Sequence, residues 1–161
     1  MTETKAPSCN PVLLANPYST SNCFFCGENN PRGAHLEFWQ VNDDPLEVVC
    51  HWTPGPDFSG LGRVLHGGIQ SGLFDEIMGW TAHHVEHTPG VTTELRVKFL
   101  RPLYVEEPLE LRCRVAGREG RRVDLAAELL GPDGEVAARA SGSYVLMDPE
   151  RFFGLVRSAG S

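Results

Sequence analysis

A single helical-period segment interrupts a chain that otherwise alternates apolar and polar residues. Beginning at His66, residues Ile69, Leu73, Ile77 and Trp80 recur at helical spacing, which predicts one amphipathic helix from residue 67 to about 84. Upstream, Leu46, Val48, Cys50 and Trp52 alternate clearly, and Leu36 and Phe38 do so more weakly. After Pro89-Gly90, Leu95, Val97 and Phe99 alternate with Glu94, Arg96 and Lys98. Then follow Leu109, Leu111, Cys113 and Val115, then Val123, Leu125, Ala127 and Leu129, and last a strand from Val136 to Leu146. Gly117-Arg118-Glu119-Gly120 and Gly131-Pro132-Asp133-Gly134 turn the chain between them. Such alternation in hairpin-linked strands requires an antiparallel sheet with one buried face, and only one long helix is available to cover it. The expected class is α+β, a curved antiparallel sheet wrapped around one long central helix.

The 161 residues suit one compact domain, and an apolar share of 41% with 22% charged residues excludes disorder of the whole chain. A net charge of −7 opposes nucleic-acid and anionic-membrane partners, which demand a basic surface, but permits a local basic patch. No run approaches the ~18 apolar residues of a membrane span. Val12-Leu13-Leu14-Ala15 is too short for a signal-peptide core, and the expected location is cytoplasmic. The cysteines, Cys9, Cys23, Cys26, Cys50 and Cys113, are odd in number and without a regular framework, which suits a reducing compartment. Residues 1–21, rich in Pro, Ser, Thr and Asn, read as a flexible or surface-docked arm, and 22–161 as a single domain. Asp148 to Val156 predicts a short terminal helix docked through Phe152, Phe153 and Val156.

Chemistry concentrates on the long helix. Gly68, Gly72, Asp75 and Gly79 fall on one stripe, bare of side chains except for one carboxylate. Interior glycines cost roughly 1 kcal/mol each against alanine, so a close neighbour is expected on this face, either a partner helix or an extended ligand. The bland alternative is relief of crowding under the sheet. His66-Gly67-Gly68 stands at the helix start, where backbone N–H groups lack internal partners and the macrodipole is positive. Such a site can polarise a carbonyl and hold an oxyanion. Gly67 and Asp75 are eight residues apart, about 12 Å along a helix, so the two cannot meet one carbonyl carbon within one chain. Cooperation between them requires Asp75 from a second subunit, its helix antiparallel to the first, in a two-fold dimer with two equal sites. Glu76 lies ~100° around the helix from Asp75, too far for both to serve one site equally, and its bland role is a salt bridge or core hydrogen bond.

The run His66-Gly67-Gly68-Ile69-Gln70-Ser71-Gly72-Leu73-Phe74-Asp75 resembles the signature of the hotdog-fold acyl-CoA thioesterases of the PaaI-like, phenylacetyl-CoA thioesterase group. The similarity extends through Glu76-Ile77-Met78-Gly79-Trp80, Gly90-Val91-Thr92 and Phe99-Leu100-Arg101-Pro102. Cys23-Phe24-Phe25-Cys26-Gly27 and Asn30-Pro31-Arg32-Gly33 resemble the opening of one branch of that superfamily. The resemblance implies metal-independent hydrolysis of an acyl-CoA to free acid and CoA, with no cofactor beyond the CoA of the substrate, in a homodimer or dimer of dimers. By motif position, the Gly67 N–H polarises the carbonyl beside His66, Asp75 is general base or nucleophile, and Thr92 orients the water or the carboxylate. Strand alternation points Thr93 toward the face of Leu95, so either threonine can serve. Gly68, Glu76, Thr93 and Arg101 are the expected substrate contacts; the basic stretch Arg96, Lys98 and Arg101 reads either as a solvated face or as one or more contacts to the CoA phosphates. Where these enzymes often carry Asn or Gln shortly before His-Gly-Gly, this chain has Gly60, with Ser59 and Arg63 nearby. That departure motivates the alternative of a non-catalytic acyl-CoA or hydrophobic-ligand binder. A hotdog dehydratase or hydratase fits less well, because its His and acidic residue are spaced differently.

Other constellations carry less. Cys23-x-x-Cys26 invites a zinc reading, but no second such pair exists, and Cys9, His35, Cys50 or His51 would complete a site only through tertiary proximity. The expected role is packing of a tight turn, with no metal. A thioredoxin-like role lacks its βαβ context. His83, His84 and His87 at the helix C-terminus are expected as imidazolium ions favoured by the dipole. Trp80, Phe58 and Leu61 read either as lining of an acyl pocket or as core.

Overall fold

The structure is a computed structural model that describes residues 10–17 and 21–158, so Cys9 and much of the N-terminal arm lie outside the described residues. Strands β1 (Val12–Leu13), β2 (Trp39–Asp43) and β3 (Leu46–Trp52) precede helix α1 (Gly67–Glu86). Strands β4 (Gly90–Phe99), β5 (Leu109–Glu119), β6 (Arg122–Leu130) and β7 (Val136–Leu146) follow, and helix α2 (Pro149–Ser158) closes the chain. The seven strands form one sheet in the order β1-β2-β3-β5-β6-β7-β4, and every neighbouring pair is antiparallel. This is the expected sheet around a helix. The part of the arm that is described supplies β1, which pairs Val12 with Gln40 and Leu13 with Trp39 at the sheet edge.

The inner face of the sheet follows the alternation. Leu109, Leu111 and Cys113 of β5 are buried, as are Val123, Leu125, Ala127 and Leu129 of β6. α1 buries Gln70, Leu73, Phe74, Ile77, Met78, Thr81 and Ala82 against them. The buried stripe is thus rotated from the one expected: Leu73 and Ile77 are its centre, whereas Ile69 and Trp80 sit half-buried at its margins. The sheet curls far enough around α1 to bury two adjacent rows of side chains, so polar Gln70 and Thr81 go inside with backbone partners. Gln70 Nε2 donates to Leu65 O and Thr81 Oγ1 to Ile77 O.

Two expectations need correction. Leu36 and Phe38 are buried, but the strand begins only at Trp39, because the Leu36 N–H bonds Phe25 O instead of a sheet partner. α2 docks less than expected: Phe152 is half-buried, whereas Phe153 and Val156 are 39% and 54% exposed. Among the described residues, no helix is long and apolar enough to cross a membrane.

Candidate active site

The start of α1 is built by its own cap. His66, in extended backbone, is the N-cap, and its Nδ1 accepts from the Gly68 N–H at 2.8 Å. That bond places the imidazole proton on Nε2 and occupies Gly68. Among the described residues, no acceptor meets the Gly67 N–H or the Ile69 N–H, which leaves Gly67 as the first of two open donors at the positive end of the helix. The Phe99 ring stands beside Gly67, and Gly60 backs onto His66.

Two turns along, Asp75 lies in a different place. It lines a cavity of about 430 Å³ together with Glu76, Trp80, His83 and Thr92. His66, Gly67, Gly68 and Arg101 line none of it. Asp75 is exposed, and among the described residues no side chain bonds its carboxylate. Within one chain, then, carboxylate and carbonyl-polarising amide stay apart, as the helix rise requires.

The glycine stripe has an occupant that the sequence reading did not name. A Cβ on Gly72 would overlap the Phe25 ring, so the close neighbour is this chain's own Phe25, neither a partner helix nor a ligand. A Cβ on Gly79 would make only ordinary contact, at 3.8 Å, with the Tyr144 ring. Phe25 in turn meets Phe24 edge-on, at 5.1 Å between centroids, and Phe24 leans on Phe58. Seating Phe25 on α1 brings Cys23 and Cys26 to Glu76. Cys23 Sγ lies 3.8 Å from both Glu76 carboxylate oxygens, and Trp80 Nε1 donates to Glu76 Oε1 at 3.1 Å. Burial, reinforced by the Glu76 carboxylate, pushes the Cys26 thiol far above its ordinary range. Glu76 therefore has the hydrogen-bonded role, yet it shares the cavity wall with Asp75. The ~100° between them does not separate the two residues, because the cavity is wide enough to touch both.

β4 distinguishes the threonines. Its pairing with β7 shifts between Thr92 and Glu94, where Thr93 is the extra residue of a bulge. Thr92 faces the Asp75 cavity, while Thr93 is exposed and donates to Ser143 O at 3.2 Å. Simple alternation missed this because a bulge breaks the period of two.

Arg101 is held by protein partners. Its guanidinium makes a two-pronged pair with Asp133, at 2.6 and 2.8 Å, and also donates to Glu135 O and Val136 O. The Arg101 guanidinium holds the Asp133 carboxyl well below the usual carboxylate range. At the end of α1, burial lowers the pKa of both His83 and His84, opposing the imidazolium form expected there, and His84 Nε2 meets Gln40 Oε1 at 2.7 Å. Trp80 is both lining and core, stacked on Phe38 at 4.8 Å between centroids. Phe58 packs edge-on against Trp52, and Leu61, 90% exposed, is neither core nor lining in a single chain.

Known proteins share the fold and part of the sequence pattern. The model of the thioesterase superfamily matches residues 62–138, which include the helix cap, α1 and β4. The acyl-coenzyme A thioesterase THEM4 of Bos taurus is 26% identical over 113 residues, covering 68% of this chain; the chain spans only 45% of that relative's length. A solved thioesterase superfamily protein superposes with a TM-score of 0.67 at 24% identity, covering 76% of this chain and 62% of its own. The E. coli PaaI protein of the phenylacetic acid degradation operon does so with a TM-score of 0.60 at 17% identity, covering 63% and 73%. The chain carries the hotdog fold of the thioesterase superfamily, with the superfamily's sequence pattern across residues 62–138.

Proposed function

We propose that this protein hydrolyses acyl-CoA thioesters in a two-fold dimer, each site combining the Gly67 N–H of one protomer with Asp75 of the other. The observation that carries the reading is the separation itself. An unclaimed amide at the helix start and an unclaimed carboxylate two turns along are the two halves of a thioester site, and only a second copy can join them. The acyl-CoA class is supported by the likeness to THEM4, named for that substrate. In this reading the Gly67 amide, with the helix dipole behind it, holds the oxyanion of the tetrahedral intermediate. Asp75 activates water or attacks directly, and Thr92 orients the water or the carboxylate. The edge of β4 supports the dimer. Among the described residues it pairs only with β7, and Val91, Phe99 and Leu100 beside it are 42%, 53% and 52% exposed.

CoA release from a panel of short, medium, long and aromatic acyl-CoAs tests the proposal. Wild type is expected to turn over at least one class, and Asp75→Asn to lose roughly 10²–10⁴-fold in kcat with the fold intact. Full activity in Asp75→Asn would remove Asp75 from the mechanism. One observation favours a second reading: Gly60, with no polar side chain, is what backs onto His66. A non-catalytic binder would hold CoA esters tightly and release no CoA from any of them.

A further inference from the structure

We propose that Cys23, Cys26 and Glu76 bind a zinc-type divalent cation that braces the N-terminal segment against α1, beside the Asp75 cavity. Their ligand atoms, two thiol sulfurs and a carboxylate oxygen, lie within 4.8 Å of one another. A tetrahedral zinc with Zn–S near 2.3 Å and Zn–O near 2.1 Å sets its ligands about 3.5–3.8 Å apart. The 3.8 Å from Cys23 Sγ to the Glu76 oxygens already meets that spacing. The remaining slack, between 4.8 Å and the required spacing, is about 1 Å.

Three further features suit a cation. The Cys-x-x-Cys loop turns tightly, with the Gly27 N–H bonded to Cys23 O at 3.0 Å, and this folds both thiols to one side. A Cβ at Gly27 would overlap the Cys23 backbone, so the turn requires glycine. Trp80 Nε1 donates to Glu76 Oε1 and fixes the carboxylate, as an outer-shell donor does for a metal-binding carboxylate. The donor set also selects the ion. Two sulfurs and one carboxylate suit zinc, whereas magnesium and calcium take oxygen alone. Three protein ligands leave the fourth position to water from the cavity that Cys23, Cys26 and Glu76 line with Asp75.

The consequence is mechanical. Phe25 lies between the two cysteines in sequence and sits on Gly72, so a cation at Glu76 pins that ring to the helix that carries Asp75. Sequence reading lacked the third ligand, because nothing in the spacing ties Glu76 to a pair some fifty residues upstream.

The test is metal binding by the full chain, purified reduced and without a polyhistidine tag, and is read independently of thioester hydrolysis. Zinc is expected at one equivalent per chain, and cobalt in its place is expected to give a near-ultraviolet thiolate charge-transfer band. Cys23→Ser and Cys26→Ser should each weaken that band and release zinc, and Glu76→Gln should weaken binding while keeping the band. Because a cysteine variant can misfold, alkylation of the wild-type thiols is followed in parallel by mass spectrometry. Zinc is expected to slow labelling of Cys23 and Cys26. A natively folded protein that takes up no zinc, shows no cobalt–thiolate band and alkylates at the same rate with and without zinc would overturn the proposal. So would zinc that persists undiminished in the Cys23→Ser, Cys26→Ser double variant.

Discussion

Phe25 and Gly72 act as one unit, and their pairing shows where reading single residues reaches its end. The bareness of the stripe is visible in the sequence, because glycine inside a helix demands a reason. The occupant is not, since no spacing rule links position 25 to position 72. Gly72→Ala is expected to gain up to about 1 kcal/mol of helix propensity and to lose about 1–3 kcal/mol to overpacking against the ring, for a net destabilisation. Adding Phe25→Ala should remove the clash, so urea denaturation of the four proteins should give a coupling of about 1 kcal/mol or more. Additive effects would mean that the ring does not rest on Gly72. The histidines give a second residue-scale prediction. The pKa of His83 and His84 is lowered by burial from an ordinary 6.5, so below that pH the unfolded chain binds more protons than the folded one. Their contribution is therefore present above about pH 6.5 and lost as pH falls toward the folded values. The urea midpoint should drop between about pH 7.5 and 5.5, and less steeply in His83→Gln, His84→Gln.

At the scale of elements, the helix and the five long strands were legible because each repeats apolar residues at its own period over most of its length. What escaped was local. β1 has two residues, too few to show a period, and the bulge at Thr93 inserts one residue into an otherwise regular strand. The start of α1 offers a clean test of its assigned donor. Gly67 is the first helical residue, and the backbone of His66 before it is extended (φ −57, ψ 131), so proline fits there without strain. A Cβ at that place meets the Phe99 ring only at ordinary contact distance, 3.5 Å at the nearest. Gly67→Pro replaces that N–H by the ring Cδ, which both deletes the donor and fills its place, and kcat is expected to fall at least about 10²–10³-fold at unchanged thermal stability. A variant that is fully active would move the oxyanion donor elsewhere.

For the whole molecule, the decisive feature is that the proposed site is divided along one helix while the sheet ends in an open edge. β4 ends the sheet with Val91, Phe99 and Leu100 exposed beside it, and the two halves of the proposed site lie apart on one helix. Leu100→Lys is expected to shift sedimentation toward the monomer and to abolish CoA release together, with circular dichroism unchanged. A monomeric variant with full turnover would place both halves in one chain. The most direct measurement uses mixed dimers. Subunits bearing Asp75→Asn are reassembled with equal amounts of subunits bearing Gly67→Pro, and CoA release is compared with each parent alone. In a mixed dimer of shared sites, one site carries both lesions and the other carries none, so activity should return to about a quarter of wild type. If each site is built within a single chain, every site keeps one lesion, activity stays at the level of the parents, and the shared site is contradicted.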